Sequence, residues 1–133
     1  MKNKKGFTLI EILVVVAIIG VLALMGLRLY SSQQEKAKNA IAKANAGTVQ
    51  TLIQSELADR DFNDRDEAAL YIATNAGLHN PFNNAAMNGT GDFPDIGDTG
   101  SPGKIQIALS SGVFYIQGYG AEGILPDILT ARK

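Results

Sequence analysis

The sequence of residues Phe7–Ala23, FTLIEILVVVAIIGVLA, is apolar except for Thr8 and Glu11, and two small residues, Gly20 and Ala17, do not interrupt it. It follows the basic sequence KNKKG at Lys2–Gly6, and the apolar character continues to Leu27. A helix needs about twenty apolar residues to cross a bilayer, whereas the apolar run of a secretory signal has about 7–15 residues and ends in a small-residue cleavage site. The stretch therefore predicts a membrane-spanning helix over residues 7–27. The lysines before it favour a cytoplasmic N-terminus.

Glu11 is the one acidic residue in this apolar run. A carboxylate in the hydrocarbon of a bilayer costs about 2.5–3.5 kcal/mol on insertion scales, and such residues usually have a partner or a function. No basic residue lies within one helical turn of Glu11. Two explanations stay open: the carboxylate lies at the level of the lipid headgroups, or its partner comes from another molecule.

The order of residues in this segment resembles the class III leader and first helix of type IV prepilins and the related pseudopilins. The resemblance covers a basic leader, Gly6, Phe7, Thr8, and Glu11 at the fifth position after the glycine. It implies that a prepilin peptidase cleaves between Gly6 and Phe7 and that the new N-terminal Phe7 is N-methylated. It also implies that Glu11 neutralises the terminal amine of a neighbouring subunit during assembly.

The first helix differs in one respect from that of many major pilins. Many major pilins have a proline in the later part of the first helix, but the first proline here is Pro81. Gly20 and Gly26 are the weak helix formers of the segment, each costing about 1 kcal/mol relative to alanine. We expect any loosening of the helix in a filament between these two glycines. Close packing of neighbouring helices at small residues is the alternative reason for them.

The net charge and the lack of cysteine argue against several classes of function. Without the three lysines of the leader, nine basic residues face thirteen acidic ones, a net charge of −4. An acidic chain is a poor nucleic-acid binder, since binding needs a basic footprint. The chain has no cysteine, which excludes disulfides, thiolate metal sites and cysteine nucleophiles.

The helical pattern continues beyond the apolar stretch. Apolar residues recur mostly at steps of three and four, which predicts one helix from about Thr8 to about Leu57 with an amphipathic second half. The residues assigned to its apolar stripe are Tyr30, Ala37, Ile41, Ala44, Val49, Leu52, Ile53 and Leu57. Such a stripe needs a cover from other elements. The predicted organisation is a leader (1–6), a membrane and polymerisation segment (7–27), an amphipathic segment (28–58) and a globular head (59–133).

The head begins with signals for a short helix and a long loop. Asp64 and Glu67 have the spacing of a helix cap with a reciprocal partner, which predicts a helix over 67–76 that ends at Gly77, with Leu70, Tyr71 and Ile72 facing inward. Residues 79–103 are rich in Asn, Gly, Asp and Pro and predict a loop pinned by burial of Phe82. Its evenly spaced aspartates are weak candidates for calcium ligands, and solvated turn residues are the simpler interpretation. They are Asp92, Asp95 and Asp98.

Two alternating segments, Lys104–Ser110 and Val113–Tyr119, flank Ser111 and Gly112 and predict an antiparallel hairpin. The apolar residues between Ile124 and Leu129 predict either a further strand or a packed tail broken by Pro126. Two strands alone are marginally stable, so the hairpin is expected to cover the amphipathic helix. The predicted fold class is α+β, a long helix packed against a small antiparallel sheet, as the pilin resemblance also implies.

These features favour a structural subunit of a type IV pilus. The resemblance implies a homopolymer, a prepilin peptidase, and an assembly platform with its ATPase as partners. It also implies a cytoplasmic-membrane precursor that becomes an extracellular filament used for motility or adhesion. A pseudopilin of a type II secretion or competence system is the nearest alternative, and a minor pilin follows. A membrane-anchored enzyme is the alternative of a different class. The head has one histidine, no cysteine and no recognisable catalytic or cofactor motif, so we expect no enzyme and no cofactor.

Overall fold

The computed structural model describes residue 6 and residues 8–133. The predicted α+β class is confirmed: a long helix and a short helix precede a three-stranded antiparallel sheet. The elements are α1 (Leu9–Asp59), α2 (Arg65–Asn75), a 3-10 turn (Thr90–Asp92), β1 (Ile105–Ser110), β2 (Val113–Gly120) and β3 (Gly123–Arg132). The chain divides into two compact units, Met1–Gln34 and Glu35–Lys133, so α1 contributes to both.

The sheet has the order β1-β2-β3, with antiparallel neighbours throughout. Ser110 pairs with Val113 across a two-residue turn. Ser111 and Gly112 both have positive φ angles, 52° and 77°, as a tight hairpin turn between twisted strands requires. The predicted hairpin is therefore confirmed, and the segment after it is a third strand rather than a packed tail.

The core of the second unit lies between the C-terminal part of α1, α2 and one face of the sheet. Val49, Ile53 and Leu57 recur every four residues along α1 and are buried. The other large buried side chains of this core are Phe62, Ile72, Leu78, Met87, Phe93, Ile105, Ile107, Phe114 and Ile116. Burial of a side chain of this size stabilises a fold by about 1.5–3 kcal/mol relative to leaving it exposed.

The predicted apolar stripe of α1 was wrong at its N-terminal end. Ile41 is 48% exposed, and the buried positions there are Ala42 and Ala46. These small residues allow close approach: a Cβ added at Gly118 of β2 would lie 3.4 Å from the Ala42 carbonyl oxygen. The pattern of large side chains therefore pointed to the wrong face, because the contact is made through alanines.

Helix α2 begins directly after Asp64, the residue predicted to cap it. The Asp64 carboxylate accepts a hydrogen bond from the Glu67 backbone N–H at 2.8 Å, and Glu67 accepts one from the Asn63 N–H at 2.8 Å. Gly77, just after the C-cap, has a φ of +61°, so it supplies the left-handed residue that often follows a helix. The helix is therefore confirmed, two residues longer at its start than predicted. Leu70 is 58% exposed, so its predicted inward orientation was wrong.

The long loop before β1 is anchored by buried residues other than the predicted one. Phe82 is only half-buried, whereas Phe93 is fully buried in the core. Asn80 is also buried; its amide donates to the Pro102 carbonyl at 2.8 Å and accepts from the Phe82 N–H at 2.8 Å. This side chain ties the two ends of the loop together, which the sequence pattern did not indicate.

Candidate functional site

The first part of α1 presents apolar side chains on every face. Among the described residues, α1 is the one helix long and apolar enough to cross a membrane. Its large apolar side chains before residue 31 are all at least half exposed in the single chain: Leu9, Ile10, Ile12, Leu13, Val14, Val15, Val16, Ile18, Ile19, Val21, Leu22, Leu24, Met25, Leu27, Leu29 and Tyr30. Soluble monomers rarely expose a continuous apolar surface of this size, which marks contact with a membrane or with other protein chains.

Glu11 lies in the first turn of this helix. Its backbone N–H donates to the Thr8 hydroxyl at 3.3 Å, and the Ile12 N–H donates to the Thr8 carbonyl at the same distance. Thr8 therefore acts as the helix cap. A carboxylate in the first turn is favoured by the helix dipole, which offsets part of the cost of removing it from water. No ion pair within the described part of the chain involves Glu11.

The predicted cleavage and methylation site lies at the edge of the described residues. Gly6 is exposed, and no heavy atom lies within 4 Å of the position that a Cβ would occupy. Phe7 and the lysines of the leader lie outside the described residues. Cleavage between Gly6 and Phe7 and methylation of Phe7 therefore stay predictions.

Gly20 and Gly26 lie within the uninterrupted helix α1. Nothing comes within 4 Å of a Cβ added at either position, so the chain itself does not require a glycine there. Loosening of α1 in a filament, or close packing against another helix, is not tested by the single chain. Both stay predictions about the assembled state.

The aspartates of the long loop make local hydrogen bonds. Asp92 accepts from the Gly89 N–H at 3.1 Å, and Asp98 accepts from the Asp95 N–H at 3.3 Å. Over residue 6 and residues 8–133, the structure brings together no group of three or more histidine, aspartate or glutamate side chains that could hold a metal ion. The three aspartates are therefore placed as turn residues rather than as a shared ligand set.

A charged network joins the end of α1 to α2. The Arg60 guanidinium pairs with Glu56 and with Glu67, and it lies over the rings of Phe62 and Tyr71 at 5.2 and 5.6 Å. The hydrogen bond from Arg60, and to a smaller extent the one from Tyr71, lowers the pKa of the Glu56 carboxyl. The hydrogen bond to Glu56 raises the pKa of the Tyr71 phenol. The network connects the two helices at the surface.

A polar face of α1 runs along the free edge of β3. The Gln54 amide donates to the Arg132 carbonyl at 2.6 Å and accepts from the Arg132 N–H at 3.1 Å, while the Gln50 amide donates to the Thr130 carbonyl at 2.8 Å. Further along, Lys43 pairs with Asp127 of the same strand. The sequence pattern did not predict this arrangement. The four-residue spacing of the two glutamines places them on one face of α1, but it does not indicate which element they contact.

Two comparisons with known proteins match this chain. A family model described as the prokaryotic N-terminal methylation motif matches residues 1–27. The fimbrial protein EcpB of Eikenella corrodens is 43% identical over 58 residues, which cover 44% of this chain and 36% of that protein. The type IV major pilin protein PilA of Myxococcus xanthus (strain DK1622) is 39% identical over 59 residues, which cover 44% of this chain and 27% of that protein.

The chain spans about a third of the length of the curated relatives it matches. No solved structure gives a significant match. The pilin resemblance indicated by the order of residues around Gly6 and Glu11 is confirmed by the family model and by both relatives. The chain thus carries a prokaryotic N-terminal methylation motif, and over somewhat less than half of its length it is similar to a fimbrial protein and a type IV major pilin.

Proposed function

We propose that this chain is a structural subunit of a type IV pilus that polymerises through the N-terminal part of α1. The observation that carries the proposal is the apolar surface of α1 before residue 31, whose large apolar side chains are at least half exposed and whose one acidic side chain is Glu11. Most of this segment lies within the matched N-terminal methylation motif, residues 1–27. A bilayer covers this surface in the precursor. In a filament, the same segments of neighbouring subunits replace the lipid.

Processing turns this segment into an assembly-competent one. A prepilin peptidase cleaves between Gly6 and Phe7, which leaves an α-amino group on Phe7 with a reference pKa of about 7.7–8. The amine is then largely cationic near neutral pH, and methylation keeps it basic. The exposed, side-chain-free Gly6 supports this step, since a peptidase binds its substrate in an extended form that needs close access to the backbone.

Glu11 then sets the register between subunits. A carboxylate and an ammonium group attract strongly in a low-dielectric environment, and each alone is penalised there. The Phe7 amine of one subunit meets the Glu11 carboxylate of a neighbour only at one relative displacement of the two helices. The pair therefore selects an arrangement more than it adds stability. The platform and ATPase of the pilus machinery would move the subunit from the membrane into the extracellular fibre.

The experiment compares Glu11→Gln and Glu11→Ala with the unchanged chain in the organism that makes the pilus. Both variants should be cleaved after Gly6 normally but should yield at least tenfold fewer sheared filaments, because the amine has lost its partner. Asp95→Asn, a carboxylate-to-amide change at an exposed loop residue outside α1, is the control and should assemble. Normal filament yield from Glu11→Ala would contradict the proposal.

A further inference from the structure

Asn88 and Gly89 form the one asparagine–glycine dipeptide of the sequence. Both residues are exposed in the long loop before β1. An asparagine followed by glycine is prone to deamidation, because glycine has no side chain to hinder the attack of its backbone nitrogen on the asparagine side chain. The dipeptide therefore places a reactive amide beside an accessible backbone nitrogen on the surface of the head.

The reaction at this dipeptide needs no partner other than water. The Gly89 nitrogen gives up its proton and bonds to Cγ of Asn88, while the bond from Cγ to Nδ2 breaks and Nδ2 takes up a proton and leaves as ammonia. Water then opens the cyclic imide to an aspartate or to an isoaspartate, in which the backbone runs through the side chain. The net change is the hydrolysis of an amide to a carboxylate, with no oxidation or reduction.

The Asp92 carboxylate holds the proton that this reaction must remove. The Gly89 N–H donates to Oδ2 of Asp92 at 3.1 Å, and the Asp92 N–H donates to the Gly89 carbonyl at 3.0 Å. A neighbouring negative charge disfavours the loss of a proton, because the product would be a second anion beside the first. The two hydrogen bonds also limit the backbone movement that the attack requires.

Several contacts hold the turn around this hydrogen bond in place. Met87 precedes the dipeptide and Phe93 follows Asp92, and both side chains are buried in the core of the head. On another side of the turn, the Lys104 ammonium donates to the Gly91 carbonyl at 2.7 Å. The hydrogen bond to the Asp92 carboxylate is therefore part of a turn that is anchored at both ends.

We propose that Asn88 is a latent deamidation site and that Asp92 suppresses its conversion in the folded head. The fold itself does not require the glycine that makes the site reactive. Its φ of −117° suits any residue, and a Cβ at Gly89 would lie 3.6 Å from Oδ2 of Asp92, an ordinary contact. The inference does not rest on the proposed pilus function.

The test follows the purified full chain during incubation in detergent micelles at neutral pH, with mass spectrometry of the peptide that contains Asn88. Asp92→Ala should convert about tenfold faster than the unchanged chain, because the hydrogen bond to Gly89 is lost. Gly89→Ala/Asp92→Ala should stay slow, since the added methyl group hinders the attack. In urea, where the head is unfolded, the unchanged chain and Asp92→Ala should convert at the same rate.

Lys104→Ala separates the hydrogen bond from a general loosening of the loop. It removes the bond to the Gly91 carbonyl but leaves the pair of Gly89 and Asp92 intact, so its conversion should stay close to that of the unchanged chain. Equal conversion of the folded unchanged chain and Asp92→Ala would overturn the proposal. An equal acceleration by Lys104→Ala and Asp92→Ala would also overturn it.

Discussion

Glu56 shows how a single side chain of the head depends on its neighbours. Its carboxylate, which is partly exposed, accepts hydrogen bonds from Arg60 and Tyr71, and these lower its pKa below the ordinary value of 4.5. A carboxyl with a lowered folded-state pKa stabilises the fold above its unfolded pKa, and the contribution is lost as the pH falls through the folded pKa. Arg60 and Tyr71 share this partner, so the network is expected to weaken in acid.

We therefore predict a pH-dependent effect of Glu56→Gln. At neutral pH the variant should be less stable than the unchanged chain, and the difference should shrink as the pH falls below about 4.5. Thermal unfolding of the full chain in detergent, followed by circular dichroism between pH 7 and pH 3, measures it. Asp95→Asn in the exposed loop is the control, and a difference independent of pH would contradict the assignment.

Gly112 is the residue that fixes the β1–β2 turn. Its φ of +77° is costly for a residue with a side chain, by about 1–2 kcal/mol. Gly112→Ala should lower the free energy of unfolding by about that amount, although a Cβ there meets no other atom. Ser111→Gly, at a φ of +52°, removes the same kind of strain and should be neutral or stabilising. Equal destabilisation by both variants in urea unfolding would rule out this role for the turn.

Among the elements, α1 has different surroundings in its N-terminal and C-terminal parts. Before residue 31 the large apolar side chains are exposed and Glu11 and Arg28 are the charged ones, whereas from Ala42 to Leu57 one face is buried and another donates hydrogen bonds to the edge of β3. One continuous helix can do both because its hydrogen bonds are internal and leave the side chains free to suit each environment. The two parts of α1 therefore differ in their side chains, whereas the helical backbone is continuous.

The buried face of α1 can be tested with two isoleucines. Ile53 is fully buried, and Ile53→Ala should lower the free energy of unfolding by about 2–5 kcal/mol. Ile41 is 48% exposed, so Ile41→Ala should change it by no more than about 0.5 kcal/mol. The two substitutions remove the same atoms from one helix. A similar loss from both, measured by thermal unfolding of the full chain in detergent, would show that the face has been misplaced.

Across the whole molecule, the sequence predicted the helices and strands more accurately than it predicted which of their faces are buried. The order of residues around Gly6 and Glu11 and the turn residues Ser111 and Gly112 act locally, so the leader resemblance and the hairpin could be predicted. The burial of Ala42 instead of Ile41 depends on how closely the sheet approaches α1, which no local pattern encodes.

In the candidate site, too, some residues could be predicted from the sequence and others could not. Glu11 stands out in the sequence because a lone carboxylate in an apolar run is costly. The hydrogen bonds of Gln50 and Gln54 to β3 could not be predicted. Glutamines on a helix are usually solvated, and the strand that these two contact lies about eighty residues away in the sequence. Long-range pairings of ordinary polar residues need the fold before they can be recognised.

Whether this chain is a processed pilus subunit is tested most directly by the mass of its N-terminal peptide in filaments sheared from cells. We predict a peptide that begins at Phe7, lacks Met1–Gly6 and carries one additional methyl group on the amine. Filaments that contain the chain with residues 1–6 still attached, or with an unmodified Phe7, would contradict the proposed processing. Filaments that lack the chain altogether would contradict the proposed function.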